Sequence, residues 1–218
     1  MKTLDKVTPS SFRYDLPAGV LHPVLENAAR GILPDWTRAG PKRRDHMTRV
    51  ARLLDTWARN RDEAPMERAR WVAAGYLHDA LRDEDPEVLR DHLGTDFDEL
   101  SGKILHGPGA AQRLEEEGVD DEEFLHAIRY HTLGSSGFGM VGLALFAADY
   151  LEPGRSWRED WRAALRERAT SDLPGVVREI LTTRIGYLLK EGRPLHLETI
   201  RFWNRFAEGE PWAGASEF

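Results

Sequence analysis

Apolar residues recur along this chain every three to four positions, in stretches separated by short breaks rich in proline and glycine. Pro23 predicts a short amphipathic helix through Val24, Leu25, Ala28 and Ile32, stopped by the breakers from Gly31 to Pro34. From Arg43 to about Asn60, His46, Val50, Leu53 and Trp57 follow the spacing of one helical face, and Arg43, Arg44, Arg52 and Arg59 are assigned to the others. Pro65 starts a helix that runs into WVAAGYLHDALR, residues 71–82, and Asp85-Pro86 sets a cap and a first-turn proline ahead of the next one. KILHGPGAAQRLEEEG places His106 just before a helix that Gly118 closes, and DDEEFLHAIRYH puts Phe124, Ile128 and His131 on one face. After the Gly- and Ser-rich loop TLGSSGFG, MVGLALFAADYLEP is apolar almost all round, the mark of a fully buried helix. WREDWRAALRERAT reads as an exposed amphipathic helix with a solvated Arg/Glu face, on which Trp157 and Trp161 are candidates for covering an interface. A long core helix through Val177, Ile180, Leu181, Ile185 and Leu188 follows, then a last one packing Ile200, Trp203 and Phe206. No segment alternates with period two and no internal repeat is visible, so the expected fold is all-α in one domain.

Several of these apolar faces carry a polar residue where none is cheap. Trp71, Gly75 and His78 share one helical stripe, and Val72, Gly75 and Asp79 share the stripe beside it. His78 and Asp79 therefore continue the face that the preceding turns bury, and an ionised carboxylate costs roughly several kcal/mol to bury without a partner. The same setting recurs at His46, His106, His131 and Asp149, on four further segments. His22, His92, His126 and His196 show no such pattern, and His126 points well away from the face of His131. A divalent metal accounts for the set. Imidazole and carboxylate suit Fe, Mn, Zn or Co, and a chain with no cysteine lacks the thiolates of most structural zinc sites. Six side chains exceed what one ion usually takes, so two ions are expected, with Asp79 able to bridge them at ~3.5–4 Å and a phosphate clamped between.

Composition narrows the partners. Of the 218 residues 41% are hydrophobic and 31% charged, enough apolar material for a packed core. A formal charge of -7 and a pI near 5.7 argue against a nucleic-acid duplex or a membrane surface as partner, while interspersed charges leave room for a local basic pocket. The first residues lack the apolar core of a signal peptide and no apolar run approaches the ~20 residues of a membrane span, so a cytoplasmic location is expected.

The order H…HD…H…H…D on helices resembles the HD-domain metal-dependent phosphohydrolases, and within them the YqeK-type branch of symmetrical diadenosine tetraphosphate hydrolases. The residues that carry the resemblance are RRDHMTRV around His46, LHDALR around His78-Asp79, LHGPGAA around His106, and AIRYHTLGSSGFGMVGLALFAADYLEPGR with His131 and Asp149. The likeness covers roughly residues 30 to 205. It implies a single HD-domain helical bundle over residues 21–210 with the metal site in its core, an irregular arm over 1–20 and a tail over 211–218. It also implies that His46, His78, Asp79 and Asp149 hold one ion and that Asp79, His106 and His131 hold the other, with iron the usual metal. The nucleotide substrate would be cut to two ADP by in-line attack of a hydroxide held between the ions. Asp79, Arg82 and Arg155 would serve the chemistry, with Arg82, Arg129, Tyr130, Thr132 and Arg155 facing substrate, since guanidinium forks match phosphate oxygens.

Three departures bear on substrate preference more than on the metal. Family members commonly have lysine at the place of Arg82, a shorter turn before the Asp149 helix, and charge near the start of that helix. Another nucleotide, such as a nucleoside monophosphate or a cyclic nucleotide, and a non-catalytic nucleotide-binding role remain open from the residues, as does a homodimer. The resemblance predicts that Arg155→Ala weakens phosphate binding and leaves metal content intact, which nucleotide titration beside elemental analysis of the purified variant would show.

Overall fold

Proline stands in the first turn of five helices, where its missing N–H costs nothing and its fixed φ favours the helical turn. These starts mark α1 (Pro23–Ala29), α2 (Pro41–Asn60), α3 (Pro65–Leu77), α4 (Pro86–Leu93) and α9 (Leu173–Lys190). Between α4 and α9 lie a 3-10 turn (Gly94–Phe97), α5 (His106–Glu116), α6 (Glu122–Tyr130), α7 (Met140–Leu151) and α8 (Glu159–Arg168), and α10 (Leu197–Glu208) follows. The computed structural model describes residues 21–209 and Trp212, and among them no strand occurs. The arm expected over 1–20, and all of the expected tail except Trp212, fall outside the described residues. Trp212 is buried against Phe202 and Phe206, so the packed body includes a residue beyond position 210.

α7 is the axle of the bundle. Val141 to Ala148 and Leu151 are all buried, and the helix packs against α2, α3, α6, α8 and α9. Each large apolar side chain taken from water there contributes about 1.5–3 kcal/mol. α3 lies between α1, α2 and α7 with Trp71 through Leu77 buried. Its contact with α2 is set by Gly75, where a Cβ would fall 2.6 Å from Ala51 Cα and 2.7 Å from Ala51 N. No alanine fits between these backbones, and the two helices that carry His46 and His78 run side by side as a result.

Three faces differ from the expected ones. On α2 the buried phase runs through Val50, Leu54 and Trp57, with Leu53 only half-buried. α9 buries Val176, Val177, Ile180 and Leu181, but its second half leaves the bundle, and Tyr187 and Leu189 are exposed. On α10, Phe202 is the fully buried residue, and Ile200 is exposed. The largest correction concerns α8, whose arginines were expected in solvent. Arg162 is 1% exposed and donates to the carbonyls of Tyr150 and Glu152, and Arg166 donates to Leu151 O at 3.0 Å. Carbonyls at the end of a helix have no intrahelical partner and form its negative pole, so these two guanidinium groups close the C-terminus of α7.

Gly75→Val should cost about 1–3 kcal/mol of stability through overpacking against backbone that cannot yield. The expected result is a lowered thermal or urea midpoint together with loss of bound metal, because the substitution separates the helices of His46 and His78.

Candidate metal centre

His78 and His131 each sit one residue past the end of a helix, and this position dictates how their rings are held. The carbonyls of a last turn lack N–H partners. His78 Nδ1 lies 2.9 Å from Gly75 O, and His131 Nδ1 lies 2.8 Å from Ile128 O, in both cases the carbonyl three residues back. His106, at the first position of α5, meets Lys103 O at 3.1 Å in the same way. A carbonyl only accepts, so each Nδ1 carries the proton and each Nε2 is turned inward. His46 is inside α2, where the carbonyls are already used. Its Nδ1 faces the Glu152 carboxylate at 3.4 Å instead, and Glu152 is held in turn by Arg49 Nε at 2.6 Å and Gly154 N at 2.7 Å.

The four Nε2 atoms converge on Asp79, whose carboxylate is divided between them. Oδ1 lies 3.1 Å from His106 and 3.7 Å from His131, while Oδ2 lies 3.5 Å from His78 and 3.6 Å from His46. His46 Nε2 is also 3.2 Å from Asp149 Oδ1. Two groups of three could thus each hold an ion, His46 with His78 and Asp79, and Asp79 with His106 and His131. Asp149 borders the first group through His46.

The donor chemistry fits a metal. The Nε2 atoms of His106 and His131 are 3.1 Å apart, and those of His78 and His46 are 3.4 Å apart. Where both rings of a pair are neutral with the proton on Nδ1, two lone pairs face each other at that distance and repel. A cation between them satisfies both. Burial, only partly offset by Asp79, pushes the His106 pKa down to about 4, which keeps its ring neutral and ligating at pH 7. For His46, burial opposes the cation but the Asp149 and Glu152 carboxylates outweigh it, raising its pKa to about 9. Burial likewise works against ionised Asp79, Asp149 and Glu152, yet the facing imidazoles and arginines hold all three below the usual carboxylate range, Glu152 at about 2.

Two openings flank the centre. A recess of about 680 Å³ at the His46 end is lined by Lys42, Arg43, Asp83 and Arg155 among others. A cleft of about 1050 Å³ reaches the other end, where Thr132 lines it and its hydroxyl lies 3.1 Å from His131 Nε2. Arg155 faces the recess and pairs with Asp149 at 3.1 Å; Arg82 lines the cleft and donates to Lys103 O at 3.3 Å. Arg129 turns to α5 instead, pairing with Glu115 at 2.6 Å, and the Tyr130 ring packs on His126 at 4.7 Å; neither lines an opening. His126 bonds Ser135 Oγ at 2.9 Å, away from the centre.

The sequence analysis missed two residues here and misplaced one. Arg43 was assigned to another face of α2, yet its guanidinium reaches Asp79 Oδ2 at 2.7 Å. It lies three residues before His46, so helical spacing itself puts the two on one side. Glu152 and Arg49, which position His46, left only the weaker signal of a carboxylate three residues after Asp149 at the end of an apolar helix.

A helical bundle with histidines and an adjacent His-Asp pair turned to its core belongs to a recognisable class. Residues 43–178 match the HD domain, and the chain belongs to that family of metal-dependent proteins. More narrowly, it is 30% identical over 138 residues to the symmetrical bis(5'-nucleosyl)-tetraphosphatase of Halalkalibacterium halodurans, covering 61% of this chain and 73% of that protein. It is 37% identical over 121 residues to the protein of the same name from Staphylococcus aureus, covering 53% of this chain and 61% of the relative. With the one from Bacillus subtilis it shares 30% identity over 129 residues, or 59% of this chain and 64% of the relative. A crystal structure of a Clostridium acetobutylicum HD superfamily hydrolase, described as involved in NAD metabolism, superposes with a TM-score of 0.68 at 26% identity, covering 78% of this chain and 92% of that one.

Glu152→Ala should lower metal affinity roughly 10–100-fold by releasing the ring of His46. Metal retained during titration with a chelator would show this, and retention equal to wild type would count against the role given to Glu152.

Proposed function

We propose that the protein is a phosphoanhydride hydrolase that cuts diadenosine tetraphosphate symmetrically into two ADP. The observation that carries this reading is the divided carboxylate of Asp79, which offers one oxygen to each of two imidazole pairs. We assign His46, His78, Asp79 and Asp149 to one divalent ion and Asp79, His106 and His131 to a second, with iron the metal the family likeness favours and manganese, zinc or cobalt compatible with the same ligands. Bound there, two cations neutralise phosphoryl charge and make water a strong nucleophile at neutral pH.

The chain's own groups prepare the rest. The backbone carbonyls and Glu152 fix the four rings before substrate arrives, so no reorganisation is needed during the reaction. Lys42, Arg43 and Arg155 line the recess at the start of α2, where the helix dipole also favours anions. Arg82 and Thr132 face the cleft at the other end. An opening on each side of the centre suits a substrate with a nucleoside at both ends of its phosphate chain. Relatives named symmetrical bis(5'-nucleosyl)-tetraphosphatase at 30–37% identity support the same substrate class. Among the described residues no helix is long and apolar enough to cross a membrane. A nucleotide free in the cytoplasm is the substrate proposed.

Asp79→Ala should lose bound metal and hydrolysis together while keeping its helical circular dichroism. Chromatography of the wild-type reaction should show ADP as sole product; AMP with ATP, or full activity in purified Asp79→Ala, would sink the reading.

A further inference from the structure

The second half of α9 departs from the core, and it carries Arg184 into a cleft beside the metal centre. Arg184 is only partly buried, and it forms no ion pair with a carboxylate among the described residues. It donates one hydrogen bond, from its NH2 to Thr132 O at 2.8 Å, lies over the face of Phe146 at 5.2 Å, and feels the Asp149 carboxylate without pairing with it. A guanidinium has five N–H donors, and those that Arg184 does not spend on Thr132 O are open to an anion entering the cleft. Arg184 lines the 1050 Å³ cleft together with Arg82 and Lys103, and the carboxylate of Glu99 is the sole acidic side chain of that lining. Thr132, the residue Arg184 holds, touches the metal ligand His131. The cationic side of the cleft therefore adjoins the metal centre.

Two aromatic rings complete the same cleft. Trp157 and Tyr187 line it and are each 55% exposed, although they come from different segments of the chain. Trp157 meets Trp161 edge-on at 6.2 Å, with Arg158 5.4 Å from its ring centroid. A cleft lined by both exposed aromatic rings and cations matches a ligand that carries both a planar ring and phosphate.

We infer that this cleft is the nucleotide subsite for one half of the substrate, with Arg184 gripping phosphate oxygens and Trp157 and Tyr187 holding the base. The assignment rests on the proposed phosphoanhydride hydrolase reading and gives roles to three residues that the sequence analysis did not associate with substrate. Stacking on aromatic rings accepts any base, so these rings supply affinity rather than choice of base.

Isothermal titration of metal-loaded protein with ADP and with inorganic pyrophosphate tests it. Trp157→Ala and Tyr187→Ala, alone and combined, should weaken ADP binding about tenfold or more and leave pyrophosphate binding unchanged. Arg184→Gln, which keeps a donor for Thr132 O, should weaken both ligands about tenfold with metal content unaltered. ADP affinity equal to wild type in the double aromatic variant overturns the subsite, as does unchanged pyrophosphate affinity in Arg184→Gln. Wild-type protein that binds ADP with these dependences but leaves the dinucleotide intact supports the subsite and overturns the functional reading instead.

Discussion

The Asp79 carboxylate, 4% exposed, sits among four imidazoles with Oδ1 toward His106 and His131 and Oδ2 toward His46 and His78. Everything around it follows from the cost of keeping that charge out of water. Arginine alone does not offset it, since Arg43 reaches only Oδ2 from the rim and its side chain is 30% exposed. The imidazoles favour its ionised form, but their own inward nitrogens meet in pairs at 3.1 and 3.4 Å and still need a partner. A divalent cation held by these groups would resolve both problems, and the bundle brings candidate ligands from five helical segments to one point.

That convergence depends on where the histidines fall relative to helix ends. A helix end leaves carbonyls without partners, and a histidine just beyond it satisfies one of them while aiming its other nitrogen along the axis. His78 and His131 use this arrangement, and Gly107 lets the two histidine-bearing ends of α5 and α6 touch, since a Cβ there would fall 2.9 Å from Arg129 O. His46 lacks a free carbonyl and borrows a carboxylate, Glu152. The borrowed carboxylate needs its own support, which Arg49 supplies, and Arg162 and Arg166 of α8 close the adjoining carbonyls of α7. The exposed-looking α8 is thus part of the support of the site.

Much of this was legible in the sequence because burying a polar residue leaves a clear periodic signature. The all-α class, the proline starts and the six polar positions on apolar faces all express local physics, spacing against a 3.6-residue turn. What escaped was long-range. The arginine-rich pattern of α8 is the same for a solvated face as for one whose Arg162 reaches back to another helix. Arg184 looks like any charge on an amphipathic stretch until α9 is placed beside Thr132. Arg129 shows the reverse case, a residue inside the motif AIRYHT that turns to Glu115 on the neighbouring helix. A motif fixes the backbone position of its residues, and only packing decides which way a long side chain points.

An acidic chain proposed to act on a polyphosphate presents an electrostatic contradiction, which the distribution of charge resolves. The formal charge is -7, and such a surface repels extended polyanions such as duplex nucleic acid. Yet Arg43 and Arg49 sit directly on the buried carboxylates of Asp79 and Glu152, Arg155 pairs with the part-exposed Asp149, and Arg82, Lys103 and Arg184 line the cleft beside them. Charges a few ångströms from a ligand in a cleft act well inside the ~8 Å Debye length of physiological salt, so they are little screened. A short phosphate chain that enters a cleft meets these local cations and the metal positions. A long polyanion, which has to lie across the surface, meets the net charge instead.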